Sequence, residues 1–239
     1  MILYVNGDSH TAGAEAVNPH VFAEDDGQLY HLGRRPHPEN FAVSWGWELS
    51  RRMNSECYCD AESASSNDRI IRTTRKWIAE NSQRLDRTVF AIQWSTWERE
   101  EWWHEGTQRY WQVNAGGIGH DWPAEIKEQY RNYIVNLNYD HAVRHAHEKI
   151  HLLHRNLELA QIPHIFFNTW EPFSNLPRFD WGHSYINPYD ADSTYYNWLR
   201  ARGYQTVNPD SYHFGPDAHR AWAEFLYQNY VMKLLTSNG

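Results

Sequence analysis

Apolar residues run unbroken over 2–5 (Ile-Leu-Tyr-Val) and stop at Asn6 and Gly7, after which Asp8, Ser9 and His10 follow in succession. A continuous rather than alternating run is the pattern of a strand covered on both faces, so the stretch predicts a central parallel strand, with Gly7 allowing a sharp turn out of it. Similar runs stand at 88–93 (TVFAIQ) and 163–168 (PHIFFN), with shorter ones at 56–61 and 204–207. Between them the spacing turns helical. Phe41, Trp45, Leu49 and Met53 recur over 41–53, Ile70, Ile71, Thr74, Trp77 and Ile78 share one side of 69–81, and Ala142, Val143, Ala146, Ile150, Leu153, Leu157 and Ala160 share a face within 125–160, a long helix or helix pair. A short helix over 193–202 is stopped by Gly203, and Gly215-Pro216-Asp217 opens a last helix with Pro in its first turn. Strands alternating with helices predict an α/β chain with a parallel sheet of about five strands and helices on both faces. The stretches 18–40, 100–123 and 169–192 have no defensible period and are expected to be insertions around a site in one domain spanning 1–239.

Composition narrows the function. The 239 residues are 41% apolar, enough for one sizeable core, and 30 acidic against 22 basic residues give a formal charge of -8 that disfavours nucleic acid and anionic membrane surfaces as partners. No apolar run approaches a membrane span and no secretory leader pattern opens the chain, so a cytoplasmic location is expected, with association with a virion if the source is a phage. Cys57 and Cys59, two residues apart, suit reduced thiols rather than a disulfide or a zinc pair. The 13 Trp and 15 Tyr exceed what one core needs, which fits aromatic-rich packing, sugar-stacking platforms or a partner interface in a homo-oligomer or larger assembly. His141, His145, His147, His151 and His154 offer pairs four apart on one helix, yet without a carboxylate at fixed spacing they read as rim histidines, and neither a metal nor a cofactor is expected.

Side chains just beyond the carboxyl ends of parallel strands stand at the crevice where open α/β sheets bind ligands. Ser9 is the hydroxyl at the first strand's exit. Asp210 and His213 lie three apart between the last predicted strand and the last helix, a spacing at which a carboxylate can hold one imidazole nitrogen while the other faces outward as a base. Gly7-Asp8-Ser9-His10 after an N-terminal strand, with Asp210-Ser-Tyr-His213-Phe-Gly-Pro before a closing helix, resembles the SGNH or GDSL-like hydrolase superfamily, most closely variants found in phages and marine bacteria. The resemblance implies a three-layer α/β/α flavodoxin-like fold, a cofactor-free ester hydrolase, Ser9 as nucleophile, His213 as base and Asp210 as its orienter. The middle of the chain departs from the family pattern. The exits of the second and third strands read Ser65-Ser66-Asn67-Asp68 and Trp94-Ser95-Thr96-Trp97, without the family's glycine and asparagine. The oxyanion is then expected at the N-H groups of Ser9 and Ser66 and the amide of Asn67, with Asp8, His10, Trp94, Ser95 and Thr96 lining the substrate.

The expected substrate is a short acyl ester, an O-acetyl group of a glycan being favoured because Trp and Tyr in the lining loops stack on sugars. Two other readings compete. In one the fold is catalytically silent and binds glycans or builds a virion-type particle. In the other, Asp8 and His10 open a metal-dependent phosphoesterase site.

Overall fold

The computed structural model describes residues 1–25 and 34–237. Its main sheet has four parallel strands, β1 (Ile2–Asn6), β2 (Glu56–Cys59), β3 (Thr88–Trp94) and, after a separate hairpin of β4 (Glu100–His104) and β5 (Arg109–Val113), β6 (His164–Asn168), in the order β2-β1-β3-β6. The chain is thus mixed α/β. Every residue of β1, β3 and β6 is buried, as their unbroken apolar runs require.

The strands' two-residue period divides the core between two faces. Ile2, Tyr4, Phe90, Ile92 and Phe166 meet the helices α4 (Asn67–Glu80) and α6 (Tyr139–Leu159) through Ile70, Trp77, Ile150, Leu153 and Leu157. Leu3, Val5, Val89, Ala91, Ile165 and Phe167 face α3 (Trp45–Arg52), α7 (Tyr195–Ala201) and α8 (Pro216–Leu226) through Trp45, Leu49, Leu199 and Trp222. Between β1 and α3 stand two single turns, α1 (Ser9–Ala12) and α2 (Pro38–Phe41), and α5 (Ala124–Asn136) precedes α6, from which Leu137 and Asn138 separate it. Past α8 a π turn, Tyr227–Val231, leads into α9 (Met232–Ser237). No helix among the described residues is long and apolar enough to cross a membrane.

Two expectations change. The fifth strand over 204–207 is absent among the described residues. Thr206 makes one antiparallel bridge to Phe214, and Val207 N-H donates to the His213 carbonyl at 2.9 Å, so the segment pairs with the approach to α8 instead of with β6. The stretch 100–123, without period in the sequence, begins as the β4–β5 hairpin, in which Glu101 pairs with Gln112 and Trp102 with Trp111. Of the loop 18–40, residues 26–33 lie outside the described residues. The rest is gathered by the buried Asn40, whose carbonyl accepts from the N-H groups of Val17 and Asn18 and whose amide donates to Asn18 and His20 oxygens. Much of the aromatic excess is core, with Trp45, Trp94, Trp222, Tyr4 and Tyr195 fully buried.

Candidate active site

Ser9 leaves β1 through a turn that only glycine fits. A Cβ on Gly7 would lie 2.2 Å from Thr11 Oγ1 and 3.0 Å from Gln93 Cβ, so it is close approach, not a left-handed backbone, that requires the glycine. Asp8 then caps α1, its Oδ1 accepting from the His10 N-H at 3.0 Å. The capping role is therefore filled one residue earlier, and the Ser9 hydroxyl is left for another partner.

That partner is His213. Ser9 Oγ lies 2.9 Å from His213 Nε2, across 204 residues of chain. On the far side of the ring, His213 Nδ1 is 2.8 Å from Oε2 of Glu15, not of Asp210. Asp210 is exposed, held in a turn by its own N-H donating to Asn208 Oδ1 at 3.0 Å, and it does not orient the imidazole. Ser211, next along, turns inward instead. Its hydroxyl donates to Glu15 Oε2 and accepts the His213 N-H at 3.0 Å. Glu15 reaches this place because Gly13 turns the chain at φ 71°, with no room for a Cβ beside the Asn40 carbonyl, and because Glu15 itself adopts φ 61°, a region rarely occupied by a non-glycine residue.

Burial would raise the Glu15 carboxyl, but hydrogen bonds from Ser211 and His213, together with the imidazole's charge, outweigh it and leave the group below its usual value. An ionised carboxylate only accepts, so the Nδ1 facing it carries the ring proton and Nε2 is the lone-pair nitrogen facing Ser9. The result is a hydroxyl, a base with its free nitrogen on that hydroxyl, and a carboxylate fixing the tautomer.

The remaining predicted residues support the site from beneath more than they line it. Asp8 is buried, its Oδ2 accepting from Ser95 Oγ at 2.9 Å and from Arg99 at 3.3 Å, while Arg99 also donates to Ser95 Oγ at 2.7 Å. This network ties the exit of β1 to that of β3, and it gives the Asp8 carboxylate a guanidinium partner where a metal reading would need a free ligand. Trp94, Ser95 and His10 are buried too, and of the five expected lining residues Thr96 alone is half-exposed, bonded to Glu98 at 3.0 Å. The His10 ring lies 4.9 Å from that of His213, tilted at 51°, and meets Trp170 edge-on at 5.2 Å. Burial first, then the charges of His213, His219 and Arg99, hold His10 well below its ordinary range, so it is a neutral neighbour.

The expected oxyanion donors are engaged elsewhere. The Asn67 amide donates to the Ser95 and Thr96 carbonyls at 3.2 and 3.3 Å while its oxygen accepts the Ser95 N-H at 2.9 Å, which makes it a staple between α4 and β3. Ser66 caps α4 through its hydroxyl, which accepts from Arg69 N-H at 3.1 Å, and its own N-H donates to Gln112 Oε1 of the hairpin at 3.2 Å. Sequence reasoning missed Glu15, Ser211 and Gln112. Of the α6 histidines, His147 and His154 are buried in the core rather than at the rim, while His141 and His145 are exposed. His147 and His151 stack on Phe179 at 4.3 and 4.0 Å, His154 hydrogen-bonds His164 at 2.8 Å, and no group of three metal-ligating side chains gathers among the described residues.

Residues 28–174, more than half of the chain, match the model of a family of unknown function, DUF6071. The chain belongs to DUF6071. The matched DUF6071 segment carries Ser66, Asn67, Ser95, Arg99 and Gln112, whereas Ser9, Glu15, Ser211 and His213 lie outside it. No curated protein matches this DUF6071 chain. Among solved structures, a protein assigned to the G-D-S-L lipolytic family from Desulfitobacterium hafniense DCB-2 aligns over 94% of this chain and 96% of its own at 12% identity, with a TM-score of 0.35.

Proposed function

We propose that the chain is a serine-dependent ester hydrolase of SGNH type, with the flavodoxin-like layering that type implies, acting on short acyl esters. Ser9 Oγ attacks the ester carbonyl as His213 Nε2 takes its proton, and Glu15 stabilises the imidazolium that forms. His213 then returns the proton to the leaving alcohol, and water, activated by the same nitrogen, releases the acyl group from Ser9. The observation that carries this reading is the continuous chain Ser9 Oγ, His213, Glu15 at 2.9 and 2.8 Å. The Ser9 N-H stands in the first turn of α1, where helix N-H groups have no intrahelical partner, and is suited to the developing oxyanion.

A second reading, a silent binding protein on the same fold, is favoured by one observation. The Asn67 amide and Ser66 N-H, the other expected oxyanion donors, are spent on internal bonds. Losing one such donor costs a rate factor of about 10² to 10³. The two readings separate in one assay, the hydrolysis of p-nitrophenyl acetate by the purified chain and by Ser9→Ala, each with and without a chelator. The esterase reading expects turnover that survives chelation and falls at least about 10³-fold in the variant. Turnover absent from the folded wild-type chain would overturn it.

A further inference from the structure

Beside the nucleophile stands an aromatic corner that the chemistry above does not use. Tyr212 immediately precedes His213 and is 66% exposed, yet its ring meets Trp170 edge-on, with centroids 5.6 Å apart and planes at 84°. Trp170 is itself backed by Tyr196 at 4.3 Å and braced against His10, the ring that packs on His213. Its position is fixed from below, since Thr169 donates to the Trp94 carbonyl from both its N-H and its hydroxyl, and its carbonyl accepts the Tyr196 N-H at 3.0 Å. Two rings at right angles, one solvent-facing and one wedged among other rings, form a rigid surface whose ordering cost is met on folding rather than on binding.

We propose that Tyr212 and Trp170 form a sugar-binding subsite that stacks the ring of an O-acylated glycan while its ester reaches Ser9. The inference rests on the ester-hydrolase reading. From Tyr212 the rings run in contact through Trp170 at 5.6 Å and His10 at 5.2 Å to His213 at 4.9 Å, so the corner adjoins the catalytic imidazole. A pyranose presents a face of C-H groups that suits an aromatic ring, and its ester substituent projects from the ring edge.

The test uses two acetyl esters that differ in whether a sugar ring is present, glucose pentaacetate and ethyl acetate, with hydrolysis followed by pH-stat. In Tyr212→Ala the ratio of kcat/KM for the sugar ester to that for ethyl acetate falls about three- to tenfold, and Tyr212→Phe retains it. An unchanged ratio in Tyr212→Ala overturns the subsite even if hydrolysis is intact. A second arm needs no catalysis. Saturation-transfer NMR on Ser9→Ala protein shows glucose pentaacetate bound, and the signal is lost when Tyr212→Ala is added. Binding seen in this arm from a chain that hydrolyses neither ester would leave the subsite standing and remove the esterase reading, whereas no binding overturns the subsite.

Discussion

At the scale of single residues, the central substitution is Glu15 for Asp210 as the partner of His213. The sequence pairs Asp210 with His213 by spacing, and spacing is what misleads. Pro209 and the Asn208 side chain close a turn that points Asp210 at solvent, while Ser211 and His213 face inward. Glu15 has no spacing signature at all. It comes from the other end of the chain and depends on a left-handed backbone that no residue pattern announces for a glutamate. Glu15→Gln replaces an acceptor with an amide that can present its N-H groups to Nδ1, so the ring loses its favoured tautomer, and kcat for a short ester is expected to fall by about 10² to 10⁴. Asp210→Asn, at an exposed turn, is expected within about twofold of wild type. A large loss in Asp210→Asn with Glu15→Gln close to wild type would return the role to Asp210. Ser211→Ala, which removes one hydrogen bond that favours the charged form of Glu15, should cost about tenfold in kcat and move the titration of the Glu15 carboxyl, followed by NMR, upward toward its usual value.

Among the elements, those with a strong period were legible and those set by tertiary pairing were not. The runs at β1, β3 and β6 are continuous because both faces are buried, and the stripe of α6 is apolar because one face is, so each can be read from residue type alone. The β4–β5 hairpin could not be, since its strands read Glu-Glu-Trp-Trp-His and Arg-Tyr-Trp-Gln-Val, without the regular polar–apolar alternation of a half-covered strand. The segment 204–207 has strand-like residues but pairs with the approach to α8. The site follows the same division, in that Ser9 and His213 sit at element ends visible in the sequence, whereas the bonds that brace them cross between elements. Asn67 is the clearest of these, joining the first turn of α4 to the exit of β3 by three hydrogen bonds. Asn67→Ala leaves a buried N-H and two carbonyls without that partner, and a loss of about 2 to 4 kcal/mol in unfolding free energy is expected from urea denaturation. A variant as stable as wild type but greatly slowed would instead make Asn67 an oxyanion donor.

For the whole molecule, the consequence of burying so many imidazoles is sensitivity to acid. Burial, reinforced by the charge of His213 and opposed by a hydrogen bond with the Phe214 backbone, holds His219 down at about 3. Burial likewise brings His164 to about 4, against a backbone hydrogen bond with Ile162 and with the charge of His154 adding to it, and His10 is also lowered. An unfolded chain binds protons at each of these sites near pH 6.5, and the folded chain does not until far lower pH. The unfolded state therefore carries the excess protons, so stability is complete above about pH 6.5 and is lost as pH falls towards the folded values, by about 1.4 kcal/mol per pH unit for each histidine. Glu15, lowered in the folded state, adds a loss of the same sign below the ordinary carboxylate range, while Asp60, raised by burial, contributes in the opposite sense between the ordinary carboxylate value and its raised one. His147, brought to about 4 by burial with the charge of His151 adding to it, belongs to the same group, and the slopes of these histidines sum, so stability is expected to fall steeply in mild acid. Urea midpoints measured between pH 7.5 and 5 should drop steeply below 6.5. His219→Asn, whatever it costs at neutral pH through the bonds His219 makes with Trp45 and Tyr195, should reduce that slope by one proton's worth. A variant with the wild-type slope would show that His219 takes up its proton without unfolding. The site would then hold a charged imidazole close to His213, in place of the neutral one that leaves the Ser9 base free to act.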